Sequence, residues 1–136
     1  MVAAFDDVRA GIVRTLQELH PDIPVAEEPG EGTEPRRFFV RMLSSGQKRE
    51  LGNRYRRDCS FDVHFYSPGE RERVAESLYA GLESVAVPWG TVRGTGLRHE
   101  VVDGVLHVRA DYAFRVRRTA ATEPAMQRLR QEGKVK

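Results

Sequence analysis

The sequence predicts a single α+β domain, a mostly antiparallel twisted sheet with two helices packed on one face. Three observations carry that reading. Asp103-Gly104 sits between two β-rich runs, and a two-residue turn needs residues that accept positive φ, so this dipeptide marks a hairpin. From Ala3 to Leu19, apolar side chains recur at Phe5, Val8, Ile12, Val13, Leu16 and Leu19, the spacing of a helix with one buried stripe. From Tyr55 to Tyr66, apolar and polar residues alternate as on a half-buried strand, and a helix-start pattern follows immediately.

In chain order, the first helix is expected over Ala3–His20, with Asp6 and Asp7 at the positive end of its dipole and Pro21 as the stop. Ile23-Pro24-Val25 reads as a short edge strand, because proline is tolerated where no ladder bond is needed. Glu27–Pro35 combines prolines, glycines and glutamates and reads as a solvated loop. Arg37–Leu43, with its FFVRML run, is expected as a strand buried on both faces over part of its length, and polar Ser44–Asn53 as an extended hairpin tip. In the next strand Tyr55, Cys59, Phe61, Val63 and Phe65 face the core, with Arg57 breaking the series. Arg54, Arg56, Asp58, Ser60, Asp62, His64 and Tyr66 face water or a partner.

Ser67-Pro68-Gly69-Glu70 reads as a capping box, with Ser67 as cap and Pro68 at the first helical position. Val74, Ala75, Leu78, Leu82 and Val85 form the buried stripe of this second helix, which Pro88 ends. Trp89–Thr95 is a short strand leading through Gly94 and Gly96 into the hairpin. There Val102 faces Val105, Val101 faces Leu106, His99 faces Val108 and Leu97 faces Ala110; a one-residue slip would invert every side chain. The apolar face continues through Tyr112, Phe114 and Val116. After Arg118 the periodicity fades, so residues 1–118 are expected as the domain and 119–136 as a tail, extended or with a short helix over Pro124–Gln131. A twelve-residue strand spans roughly 40 Å, whereas a chain of this size is about 37 Å across. At least one hairpin should therefore reach or pass the edge of the body.

A length of 136 residues suits one core, and 40% apolar with 31% charged residues is the balance of a water-soluble globular domain. No run is long and apolar enough to span a bilayer, and the start of the chain carries acids where a secretory signal carries bases, so a cytoplasmic protein with no membrane partner is expected. Cys59 is the single cysteine and lies in the apolar series, which makes it a buried structural thiol. A net charge of +2 falls short of a dedicated nucleic-acid binder.

Few residue patterns point to chemistry. Asp62 and His64, two apart on one strand face, form half of a metal or acid–base site, but alternation alone creates such pairs on any solvated strand. Glu100 opposite His107, and Arg98 opposite Arg109 near Asp111, read as a cross-strand charge ladder. Gly90, Gly94 and Gly96 precede no helix, so they serve turns and close backbone approach rather than a phosphate cradle. Lys48, Arg49, Arg54, Arg56 and Arg57 could meet nucleic-acid phosphates, or acids on another subunit such as Glu27, Glu28, Glu31 and Glu34; the second fits better, since aromatic interleaving is nearly absent. No active site assembles from these patterns, and no catalytic, cofactor-binding or metal residue is assigned.

Two long runs resemble a known family. ELGNRYRRDCSFDVHFYSP (Glu50–Pro68) and RGTGLRHEVVDGVLHVRADYAFRV (Arg93–Val116) are similar to small phage tail terminator proteins of contractile-tailed phages and phage-derived particles of Gram-positive bacteria. The likeness extends to the first helix with its Leu19-His20-Pro21-Asp22 ending and to the FFVRML strand. It implies a structural protein and no enzyme: a homo-hexameric ring on the end of the tail tube that stops polymerisation, meets tube and sheath proteins, and joins a head–tail connector where a head exists. DNA would then be only passing cargo in the lumen, and no cofactor is implied. Such a protein would be assembled in the host cytoplasm and end at the head-proximal end of a virion tail or of a headless tail-like bacteriocin. A ring closed by one repeated contact uses two different patches per subunit. The residues expected there are Lys48, Arg49, Glu50, Arg54, Arg56, Arg57, Arg98, Arg109, Arg117 and Arg118, together with the tail. Other readings are a neck or head-completion adaptor, a small nucleic-acid-binding domain, or an enzyme in which His64, His99 or His107 converges with carboxylates.

Overall fold

The computed structural model describes residues 4–27 and 35–117. Most of the acidic loop, Arg118 and the expected tail lie outside the described residues. The elements run α1 (Phe5–Leu19), β1 (Val25–Ala26), β2 (Arg37–Arg49), β3 (Arg54–Tyr66), α2 (Arg71–Gly81), β4 (Ser84–Val87), β5 (Gly90–Val102) and β6 (Val105–Arg117). The strands form one curled six-stranded sheet in the order β1-β2-β3-β6-β5-β4. Only β1 against β2 is parallel. This is the expected α+β architecture.

The inner face is apolar by alternation. Phe38 and Val40 from β2, Cys59, Phe61, Val63 and Phe65 from β3, and Leu106, Val108, Ala110 and Tyr112 from β6 are all buried there. Val8, Ile12 and Leu16 of α1 and Val74, Ala75 and Leu78 of α2 supply the matching stripes. The sheet curls far enough for α1 to touch both β2 and β4, which lie in opposite halves of the strand order. Gly11 is the close approach: a Cβ there would stand 2.5 Å from Val85 Cγ1 and 2.6 Å from the Ala86 carbonyl oxygen. Asp7 accepts hydrogen bonds from the Ala4 amide (3.2 Å) and from Trp89 Nε1 (3.0 Å), tying the start of α1 to the β4–β5 turn. Arg57, the break in the apolar series of β3, is accommodated with its guanidinium 5.0 Å from the Phe5 ring centre and its Nε donating to Gln47 Oε1 at 2.8 Å.

Four expectations change. Ser44–Arg49 is not a loop, because β2 continues to Arg49; a bulge between Met42 and Ser44 adds one residue at Leu43 and reverses which parity faces inward. Polarity marked this stretch as a tip, but it is a strand that leaves the body, exposed from Arg41 to Arg49. Ser67 does not cap α2. Its hydroxyl meets the Gly69 amide at 3.2 Å in a local turn, and the helix starts after Glu70, whose φ of 65° is left-handed. The Val85 end of the expected second helix is strand β4, in which Val85 and Val87 are buried and Ser84 and Ala86 exposed. Finally, β5 runs unbroken from Gly90 with a bulge at Gly96-Leu97: Thr95 pairs with Asp111 and Arg98 with Arg109, so two residues oppose Ala110 where Leu97 alone was expected. Gly96, at φ 61°, supplies the left-handed residue that this bulge uses.

The Asp103-Gly104 turn is as expected, with φ of 52° and 78° and the pairs Val102–Val105, Val101–Leu106 and His99–Val108 in place. A strand of thirteen residues is about 43 Å long, whereas the fifteen-residue α1 is about 22 Å. The helices therefore cover only part of the inner face, and the β2–β3 tip extends past them.

Candidate functional site

Neither helix covers the outer face of the sheet, and the pairing of β2, β3, β6 and β5 sets its side chains in rungs. One rung is Phe39, His64, His107 and Glu100; the next is Arg41, Asp62, Arg109 and Arg98; then come Ser44, Ser60, Asp111 and Thr95. Toward the β2–β3 tip the rungs become Lys48, Arg56 and Arg115, followed by Arg54 and Arg117.

In the middle of this face Asp62 and His64 are buried, 3% and 9% exposed, although their side of β3 was expected to face water or a partner. Phe39 and His107 close over them: Phe39 stands edge-on to His64 at 5.5 Å between ring centres, and the His64 and His107 rings are 4.3 Å apart. Asp62 Oδ2 lies 3.2 Å from His64 Nε2 and 3.0 Å from His107 Nδ1. A carboxylate can only accept, so each of those nitrogens carries the hydrogen. Burial pushes the Asp62 carboxyl up, but the bonds from His64 and His107 outweigh it and hold the group below its ordinary value of 3.8. Arg109 adds its Nε at 3.7 Å while its Nη1 donates to Glu100 at 2.8 Å. Asp62 Oδ1 is buried with no hydrogen-bond partner among the described residues.

Pairing of β3 with β6 brings Asp62, His64 and His107 together, and this pairing is what a reading of consecutive hairpins misses. His99 does not join them; it faces α2, with Nδ1 2.7 Å from the Tyr79 hydroxyl. Glu100 opposite His107 and Arg98 opposite Arg109 stand as expected, with Arg98 3.4 Å from Asp111. Gly94 and Gly96 serve close approach and a bulge, since a Cβ on Gly94 would press on the Leu82 carbonyl and the Tyr112 ring. Burial pushes the Cys59 thiol up to about 12, so this sulfur is inert as a nucleophile.

The expected interface residues fall in two groups. Arg98 and Arg109 belong to the central face just described. Lys48, Arg49, Glu50, Arg54, Arg56, Arg57 and Arg117 gather at or beside the β2–β3 tip and the end of β6. Some are internally paired: Arg56 with Asp58 at 3.1 Å, Glu50 with Arg115 at 3.0 Å, and Arg49 with the Gly52 carbonyl at 3.0 Å. Lys48, Arg54 and Arg117 have no ion-pair partner among the described residues. The tip is thus a basic patch in which Lys48, Arg49, Arg54 and Arg117 have no carboxylate partner among the described residues.

Comparison with known proteins decides the family. The model of a family described as "Phage tail terminator protein" matches residues 7–124, which includes every described element except the first residues of α1. The chain belongs to the phage tail terminator family. Proteins of this family are structural parts of phage tails and work in contact with other tail components. This terminator is accordingly a virion-associated tail component. No helix among its described residues is long and apolar enough to cross a membrane. No curated protein matches the chain. One solved chain without a functional name is 20% identical over 85% of this chain and 97% of its own, at a TM-score of 0.42.

Proposed function

We propose that this terminator assembles as a hexameric ring on the end of a tail tube, ends growth of tube and sheath, and presents its far side to the neck or head connector. The observation that carries this reading is the family match over residues 7–124. The described elements, Phe5–Arg117, form the body of the ring. The particle is of the contractile type, a phage or a headless tail-like bacteriocin. Chemistry on substrates has no part in the reading: a surface that fits the tube below and offers no tube-like surface above is enough to stop addition.

Two features support a ring. β1 pairs with β2 only at Phe38 and Phe39, and β4 with β5 only at Gly90–Arg93, so one edge of β2 and one edge of β5 lack a partner strand among the described residues beyond those points. Both stretches carry exposed apolar side chains, Met42 and Leu43 on β2 and Val101 and Val102 on β5. They are different patches toward opposite ends of the strand order, as a head-to-tail contact in a closed ring requires. The basic group Lys48, Arg49, Arg54, Arg56, Arg57 and Arg117, with Glu50, and the central Arg98 and Arg109, then face a neighbouring subunit or the tube; Arg118 follows Arg117 into the same region of sequence.

The test is assembly of particles with this subunit deleted. Tails of irregular, excessive length with unfinished ends, restored to uniform length by the wild-type chain, are expected. Uniform, finished tails in the deletion would overturn the assignment, and tails of normal length that fail only to join heads would assign the chain to the neck instead.

A further inference from the structure

We propose that Asp62, His64 and His107 form a binding site for one divalent first-row cation, Zn2+ fitting best, that fastens β3 to β6 on the uncovered face of the sheet. The site does not rest on the assembly reading. Strand geometry builds the donor set: Asp62 and His64 are two apart on one face of β3, and the register places His107 directly across from His64. One donor atom from each residue lies within 4.8 Å of the other two.

Geometry and donor chemistry agree. Ligand atoms at 2.0–2.2 Å around a tetrahedral Zn2+ are about 3.4 Å from one another. The two separations from Asp62 Oδ2 are 3.0 Å and 3.2 Å, and the two imidazole nitrogens lie within 4.8 Å of each other, so admitting an ion requires the rings to turn until all three separations approach that value. Two imidazoles and one carboxylate suit Zn2+, which keeps a fourth position for water in such sites. Asp62 is desolvated in advance and has a buried oxygen, Oδ1, that no hydrogen bond satisfies among the described residues. A cation held by both carboxylate oxygens answers that deficiency, whereas two imidazole hydrogens directed at Oδ2 leave it standing. Binding needs no redox step and no net proton loss from neutral rings. On His64 the hydrogen moves from Nε2 to Nδ1, which lies 3.4 Å from the Tyr66 hydroxyl, an outer partner of the kind that fixes metal-bound histidines. On His107 it moves from Nδ1 to Nε2. Arg109 is the adverse charge, and its pairing with Glu100 at 2.8 Å offsets it.

The experiment uses the untagged full chain, stripped with chelator and titrated with ZnCl2 by calorimetry. One ion per chain is expected, with the thermal midpoint raised by about 5–10 °C at a hundredfold excess over Kd. His107→Ala and His64→Ala should each weaken binding at least 100-fold, while His99→Ala and His20→Ala leave it unchanged. The Co2+ form of the wild-type chain gives a second reading that needs no variant: visible bands of four-coordinate cobalt and paramagnetically shifted resonances from two imidazoles. No saturable binding, cobalt bands of octahedral type, signals from fewer than two imidazoles, or binding that survives His107→Ala would each overturn the proposal.

Discussion

His20 closes α1 with Nε2 2.8 Å from Ser77 Oγ and its ring 5.7 Å from Phe38. The Ser77 hydroxyl spends its one hydrogen on the Val74 carbonyl at 2.7 Å, so it accepts from His20, and Nε2 carries the ring hydrogen. Burial, with Arg36 and Arg73 nearby, lowers the imidazole below its ordinary 6.5 despite Asp22 and Glu70. The folded chain therefore holds His20 neutral where the unfolded chain begins to bind a proton. Its contribution to stability is full above about pH 6.5 and is lost as pH falls through the lower folded value. Urea midpoints at pH 7.5 and pH 5.0 should show that loss, and His20→Gln, which keeps an amide donor for Ser77, should remove the His20 share of it. Parallel loss in wild type and variant would show that other groups carry the dependence. Within β3 the same logic of alternation separates two outcomes three residues apart, an inert thiol at Cys59 on the helix side and an ionised carboxylate at Asp62 on the open side.

At the scale of elements, the β5–β6 hairpin depends on its turn. Asp103 and Gly104 both hold positive φ, and Arg71 at the start of α2 donates to the Gly104 carbonyl at 3.0 Å, joining helix and turn. Gly104→Ala should cost about 1–2 kcal/mol by forcing a Cβ into the left-handed region, measured as a lower denaturant midpoint. Asp103→Asn should be nearly neutral, because asparagine accepts the same conformation. This hairpin was legible because the turn chemistry is local and the alternation of β6 is unbroken from Leu106 to Val116. Legibility failed where a single residue changes the phase. Leu43 and the Gly96-Leu97 step insert bulges, and the alternation beyond each restarts on the other parity, so Ser44–Arg49 passed for a loop and Leu97 for the partner of Ala110. Ser84–Val87 was hidden because Leu82 and Val85 continue the helical spacing of Leu78 while belonging to a cap and a strand. The central cluster was half legible. Asp62 and His64 share a strand, but His107 comes within reach only through the pairing of β3 with β6, a contact more than forty residues apart that no local pattern encodes.

Over the whole molecule, structure and charge are divided by position. The core and both helices occupy the inner face, the carboxylate–imidazole cluster sits at the centre of the outer face, and the uncompensated cations lie at the far end of the longest strands. Lys48, Arg54 and Arg117 are all exposed and contact nothing that the core needs. Reversing them together, with Lys48→Glu, Arg54→Glu and Arg117→Glu, should therefore leave the folding stability of the isolated chain within about 1.5 kcal/mol of wild type, at about 0.5 kcal/mol per surface site. Three cations are replaced by three anions, a change of six charges in one patch, so a docking partner selected for a basic surface meets repulsion where it met attraction. On the proposed function, capping of tails should then fail, giving overlong tails from a folded and soluble subunit. Weakening in the wild type should follow added salt, because a Debye length of about 8 Å at physiological ionic strength shortens to about 3 Å at 1 M. Tail-length distributions by electron microscopy, beside the circular dichroism melt of the same variant, read both halves of this expectation. Normal tails from the reversed variant would remove the tip from the docking surface and leave the free edges of β2 and β5 to form it.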